Sequence, residues 1–114
     1  MMKWEIEFTN GFEQWYRDLA QSTQDRIIAA VQVLRSRGPG LGRPLVDSVK
    51  GSAFPMKELR VGTVRILFVF DPRRVAVLLI GGDKQHKWQQ WYRTAIPEAD
   101  RLYAKHLKTI TNRR

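Results

Sequence analysis

The sequence predicts a single α+β domain: an N-terminal strand, a helical hairpin, a three-stranded antiparallel meander and a C-terminal helix. Three observations carry that prediction. Apolar residues alternate with charged ones over Lys3–Phe8, the signature of a half-buried strand. They recur at three- and four-residue spacing in the two segments that follow, as on an amphipathic helix. Three apolar runs, Met56–Val61, Val64–Phe70 and Arg74–Ile80, then succeed one another across turns of two or three residues. At 114 residues the chain suits one domain with one modest core, covering residues 1–114.

In the first strand Trp4, Ile6 and Phe8 share one face and Lys3, Glu5 and Glu7 the other. Thr9-Asn10-Gly11 interrupts it, and Asn10 with Glu13 has the spacing of a helix N-cap pair. Phe12, Trp15, Tyr16 and Leu19 give a short helix. Ser22 begins a second, with Asp25 favoured in its first turn by the helix dipole. Its apolar stripe is Ile27, Ile28, Val31 and Leu34, and Gly38-Pro39-Gly40 ends it. So short a link makes the two helices antiparallel.

Residues 38–55 are rich in Gly and Pro yet hold Leu41, Leu45, Val46 and Val49, which reads as a long ordered loop pinned to the core. Gly62-Thr63 connects the first two meander strands, and Asp71-Pro72-Arg73 suits a type I-like turn. On the middle strand Val64, Ile66, Phe68 and Phe70 face one way, and Arg65, Leu67 and Val69 the other. Neither face is fully polar, so helices on one side and the C-terminal segment on the other are expected to cover the sheet. Trp88–Arg93 reads as a short helical turn or loop. Pro97 suits the first turn of the last helix, with Glu98 and Asp100 at its positive end. Ala99, Leu102, Tyr103, His106 and Leu107 form its apolar side, and residues 108–114 read as a frayed basic tail.

Charge is the unusual quantity. Twenty Lys and Arg against eleven Asp and Glu give +9. Residues 1–50 hold seven basic and six acidic residues, whereas residues 51–114 hold thirteen and five. Such an asymmetry favours an anionic partner, nucleic acid first, then a membrane surface or an acidic protein. The chain has no cysteine, hence no disulfide framework and no thiolate zinc site, which fits a reducing cytoplasm. No long apolar stretch opens it as in a signal peptide, and Val75–Ile80 is too short to span a bilayer.

With this order of elements, the stretches Lys57-Glu58-Leu59-Arg60, Val64-Arg65-Ile66-Leu67-Phe68 and Gly82-Asp83-Lys84 resemble the RelE/ParE toxin superfamily. Arg43-Pro44-Leu45-Val46, Trp91-Tyr92-Arg93 and Ile96-Pro97-Glu98-Ala99 place the resemblance in its phage-derived, HigB-like branch, from Trp4 to about Leu107. The resemblance implies a RelE-like fold and a ribosome-dependent endoribonuclease that cuts messenger RNA. It also implies neutralisation by a cognate helix-turn-helix antitoxin, with a monomeric free toxin and a heteromeric complex. Two departures stand out: Lys57-Glu58 occupies a site where RelE-type chains often alternate two basic residues, and Asp83–Lys87 is not arginine-dense.

RNA cleavage by the neighbouring 2′-hydroxyl requires a proton acceptor, a proton donor for the leaving 5′-oxygen, and cations for the charge on phosphorus. It requires no metal and no cofactor, and the sequence has no dense Asp/Glu cluster for a two-metal site. Arg65, mid-strand among apolar neighbours, is the first candidate for transition-state stabilisation and matches the superfamily's middle-strand arginine. The alternative is a structural arginine paired with an acid such as Glu58. Lys57 and Arg60 fall on opposite faces of one strand and cannot act as a pair; Arg60 shares its face with Glu58. Each is a candidate RNA contact, as are Arg73 at the turn, Lys84 and Lys87 beside His86, and Arg93.

His86 has the right ordinary pKa for acid or base work, and flanking lysines would lower it. Tyr92 resembles the tyrosine that RelE-type nucleases place near the last helix, where it can stack on a base or take a proton. His106, on the apolar side of that helix, reads as packing. A gyrase-inhibiting, ParE-like toxin without nuclease chemistry, or a plain nucleic-acid-binding module, would share the charge but has no need of Arg65, His86 and Tyr92 together.

Overall fold

A computed structural model describes residues 3–83 and 88–112 of the chain. Strand β1 (Ile6–Phe8) leads into helices α1 (Asn10–Arg17) and α2 (Gln21–Arg37), and a 3₁₀ turn over Gly38–Gly40 follows. Strands β2 (Val46–Ser48), β3 (Lys57–Val61), β4 (Val64–Phe70) and β5 (Ala76–Asp83) come next, then helix α3 (Trp88–Thr111). The sheet order is β1-β5-β4-β3-β2; β1 runs parallel to β5, and every other pair is antiparallel.

The expected meander is therefore the middle of a five-stranded sheet. Its one irregularity is a bulge, where Leu67 pairs with Ile80 but Phe68 pairs with Leu78. The extra residue turns both Leu79 and Ile80 toward α3. The alternation along β4 divides the core as the sequence requires. Leu59, Val61, Val64, Ile66, Phe68, Ala76 and Leu78 pack with Phe12, Ile27, Ala30 and Leu34 of the helical hairpin. Leu67, Val69, Val77 and Leu79 pack on the other face with Ala95, Ala99 and Tyr103 of α3.

Several local expectations are corrected. The cap of α1 is Thr9, not Asn10: its Oγ1 accepts from the Phe12 N–H and donates to the Leu79 carbonyl, so one hydroxyl fixes both the helix start and its place on the sheet. Helix α2 begins at Gln21 rather than Ser22, after Ala20 and without a side-chain cap. The Gly- and Pro-rich segment is not all loop, because Val46–Ser48 pairs with Lys57–Leu59 as an edge strand. Its later part is tied to α3 by Asp100, which accepts from the Ser52 hydroxyl at 2.5 Å and the Ala53 N–H at 3.0 Å.

The last helix is one element, not a turn followed by a helix, and Pro97 lies inside it. Proline has no N–H to offer the Arg93 carbonyl, a local loss. Trp91, Tyr92 and Ala95 before it and Ala99 and Tyr103 after it all pack on the same sheet face, and that shared burial outweighs the missing bond. Helix also continues through Lys108–Thr111, where fraying is expected from the sequence.

The Asp71 turn closes with the Arg74 N–H donating to the Asp71 carbonyl, and Arg74 takes φ +68 over the Trp4 ring. Asp71 is fully buried. Its carboxylate receives the N–H groups of Arg73 and Val75, the Arg73 guanidinium and, at 2.9 Å, Nε2 of His106. Burial alone would raise its pKa, but the hydrogen bonds from His106, Arg73 and Val75 outweigh that and hold it below the usual carboxylate range. His106 is thus not mere packing: it anchors α3 to this turn while stacking on Tyr103.

Candidate functional site

At the opposite end of β4, the strands place a row of charge on the face that α3 covers. Arg60 of β3 pairs directly with Arg65 of β4, which in turn pairs with Gly82 of β5. Like charges directly opposite one another on a sheet repel, so this pair needs an anion. Glu58, two residues before Arg60 and therefore on the same face, supplies one. It is buried, and one carboxylate oxygen accepts from Arg60 at 2.9 Å. The other accepts a short hydrogen bond from the Tyr92 hydroxyl.

Asp47 of β2 pairs in register with Glu58 and takes the far end of the Arg60 guanidinium at 3.1 Å and Arg43 at 3.3 Å. Its carboxyl is held below the ordinary range first by the Ser48 N–H. Arg43 and Arg60 add to this, against a burial that works the other way.

Arg65 does not pair with Glu58. Its Nη1 donates to the carbonyls of Gly62 and Val64, at 2.6 and 3.0 Å, while its buried Nε has no hydrogen-bond partner among the described residues. A buried guanidinium N–H left in this condition favours a bound acceptor. Arg65 also lies beside the Tyr92 hydroxyl and draws its pKa down. That pull loses to burial, and then to Glu58, which together push Tyr92 up to about 12. At neutral pH Tyr92 keeps its proton and donates a hydrogen bond to Glu58.

The first turns of α3 sit close because β5 carries Gly82 where they land. A Cβ on Gly82 would lie 2.2 Å from Trp91 Nε1, and one on Gly81 would lie 2.2 Å from Trp15 Cζ3 on the other face. Trp91 and Tyr92 meet edge to face at 5.0 Å. Arg93 is exposed and lines a shallow cleft with Asp83, Gln90, Trp91 and Thr94.

The structure therefore brings together Arg60, Arg65 and Tyr92, with Arg93 nearby. Lys57 projects from the opposite face, donating to the Pro39 carbonyl at 3.2 Å with its ammonium 5.8 Å from the Phe70 ring centre. Arg73 lies at the far end of β4, engaged by Asp71 and Glu7, so it stands apart from this cluster. Lys84, His86 and Lys87 lie outside the described residues. Sequence reasoning took Glu58 only as a mate for an arginine, without its bond to Tyr92, and did not single out Asp47. A carboxylate between Lys57 and Arg60, turned inward by the strand alternation, was the available signal for Glu58; Asp47 gave none without its cross-strand pairing.

The fold is that of RelE proteins. A RelE–RelB complex from Pyrococcus horikoshii contains a chain that superposes with a TM-score of 0.62 at 13% identity, over 75% of this chain and 99% of that one. A RelBE2 toxin–antitoxin complex from Mycobacterium tuberculosis gives 0.59 at 17% identity, over 72% and 99%.

Residues 14–104 match the family of phage-derived Gp49-like proteins (DUF891), and the chain belongs to that family, in its HigB-type branch. HigB3 of M. tuberculosis, named as a toxin, is 50% identical over 91 residues, 77% of this chain and 80% of its own length. HigB2 of the same organism, also named as a toxin, is 48% identical over 99 residues, 82% of this chain. The chain spans about half the length of HigB2. Among the described residues no helix is long and apolar enough to cross a membrane.

Proposed function

We propose that this chain is the toxin of a toxin–antitoxin pair and cuts messenger RNA on the ribosome by metal-independent attack of a 2′-hydroxyl on the adjoining phosphorus. The observation that carries the reading is the Arg60–Arg65 pair, two arginines paired across β3 and β4, with a buried Arg65 Nε–H that has no partner among the described residues. A phosphate diester accepts from the Arg65 N–H and adds an anion beside a pair whose Arg60 is already held by Glu58 and Asp47. Arg65 then stabilises the charge that builds on the phosphoryl oxygens as the 2′-oxygen bonds and the 5′-oxygen leaves.

Glu58 fixes Arg60 and Tyr92, and Tyr92 donates a hydrogen bond while Trp91 and Tyr92 offer ring faces to an unstacked base. In this reading His86 accepts the 2′-hydroxyl proton and returns it to the leaving 5′-oxygen.

The fold shared with RelE–RelB complexes supports a cognate antitoxin partner, of helix-turn-helix type in this reading, and cytoplasmic action on mRNA and ribosome follows from the same proposal. Inducible expression in translating cells, with message ends mapped for wild type and Arg65→Ala, tests it. New ends at codon boundaries that vanish in the variant are expected. Growth arrest with intact messages and damaged DNA would refute the nuclease and indicate a gyrase inhibitor.

A further inference from the structure

The face of the sheet away from Arg65 carries an open apolar groove that the chemistry above does not use. It is bounded by β1, α1 and α2, encloses about 480 Å³, and has Leu78 and Ile27 among its lining residues, with Phe12 and Tyr16 on one wall and Ile28 and Val31 on the other. Phe8 and Ile28 at its rim are 54% and 46% exposed, unusual for side chains of that size.

Two further observations indicate what covers it. Strand β1 is the sheet edge, and its pairing with β5 uses the backbone of Glu5 and Thr9, which leaves the alternate groups of Ile6 and Phe8 facing outward beside the groove. Such an edge accepts an extended segment from another chain. Arg17 and Arg35 also line the groove, and its one acid, Glu13, offsets only Arg17, which leaves the rim net positive. The cationic rim therefore selects acidic residues in whatever enters.

We propose that this groove is the docking site of the antitoxin, which lays an extended segment along β1, inserts bulky apolar side chains between α1 and α2, and sets acidic residues against Arg17 and Arg35. The inference rests on the toxin–antitoxin reading but places the contact on the face opposite Arg60, Arg65 and Tyr92. The partner consequently holds the toxin without occupying the arginine pair by this contact.

The test uses the full chain with the purified protein encoded by the adjoining reading frame, and calorimetry on wild type, Phe8→Asp, Ile28→Asp, Arg35→Glu and Arg65→Ala. Phe8 and Ile28 are exposed, so unchanged circular dichroism is expected of their variants. Both should bind at least 30-fold more weakly, Arg35→Glu about 10-fold more weakly, and Arg65→Ala as wild type does. In cells, the Phe8 and Ile28 variants should still arrest growth but escape rescue by the adjoining protein. Undiminished binding by both groove variants, loss of binding in Arg65→Ala instead, or no binding by wild type would overturn the proposal. Message cutting by the free chain, measured separately, reports whether the nuclease reading survives that result.

Discussion

Replacing Gly82 by alanine is the sharpest way to separate the site from the fold. The new Cβ would sit 2.2 Å from Trp91 Nε1 and 2.6 Å from Cε2, more than an ångström inside ordinary contact. Trp91 must move, and Tyr92, next along the helix, moves with it and releases Glu58. Overpacking of this kind costs about 1–3 kcal/mol. At roughly 4 °C per kcal/mol for a domain of this size, the midpoint should fall by about 4–12 °C.

Gly81→Ala is the control. Its Cβ meets Trp15 just as closely, but on the hairpin face, away from the arginine pair. The two variants should melt at similar temperatures by circular dichroism. Assayed well below both midpoints, Gly82→Ala should lose at least tenfold in message cleavage while Gly81→Ala stays within about twofold. Equal losses, or a fully active Gly82→Ala with a lowered midpoint, would refute the idea that helix α3 positions the site through Trp91 and Tyr92.

Other consequences are equally direct. Titrated by absorbance at 295 nm, Tyr92 should resist ionisation until about pH 12, and Tyr92→Phe should remove that step while leaving the rise that burial and Asp71 give Tyr103. Because the folded state holds the Tyr92 proton more tightly than the unfolded chain does, the stability it confers is complete below about pH 10 and declines as pH rises from there toward 12. Asp71 has the opposite sign. Its lowered pKa contributes stability above about pH 4 that disappears as the pH falls further, and Asp71→Asn should flatten that acid limb in denaturant melts. The same substitution leaves Arg73 and His106 without their buried partner, and about 3 kcal/mol of stability should be lost at pH 7. Thr9→Ala removes the α1 cap and its bond to Leu79, and should lower stability by about 1–2 kcal/mol by chemical denaturation.

What could be read from the chain was whatever local pattern alone decides. The alternation in Val64–Phe70 placed Arg65 on the α3 face and separated Lys57 from Arg60, and the sheet has that arrangement. What could not be read depends on distant partners. Val46–Ser48 is too short to show alternation and becomes a strand only because Lys57–Leu59 lies beside it. Thr9 and Asn10 are both competent caps, and the choice is made by a carbonyl 70 residues away, that of Leu79. Pro97 invites a helix start, yet burial on both sides of it sustains one continuous helix. Glu58 seemed a simple mate for an arginine because its second bond, to Tyr92, spans 34 positions.

The parallel pairing of β1 with β5 has a consequence for synthesis. Ile6 cannot find its neighbour until Ala76 has been translated and has left the exit tunnel, and the bulged strand beyond it must follow. The first strand and the helical hairpin therefore wait, half-assembled, for most of the chain to emerge. The arginine pair is roofed later still, once the residues of α3 are free of the tunnel. Until then the nascent chain carries the strands of the site without Trp91 and Tyr92 above them, so the site is completed only after the sheet that bears it.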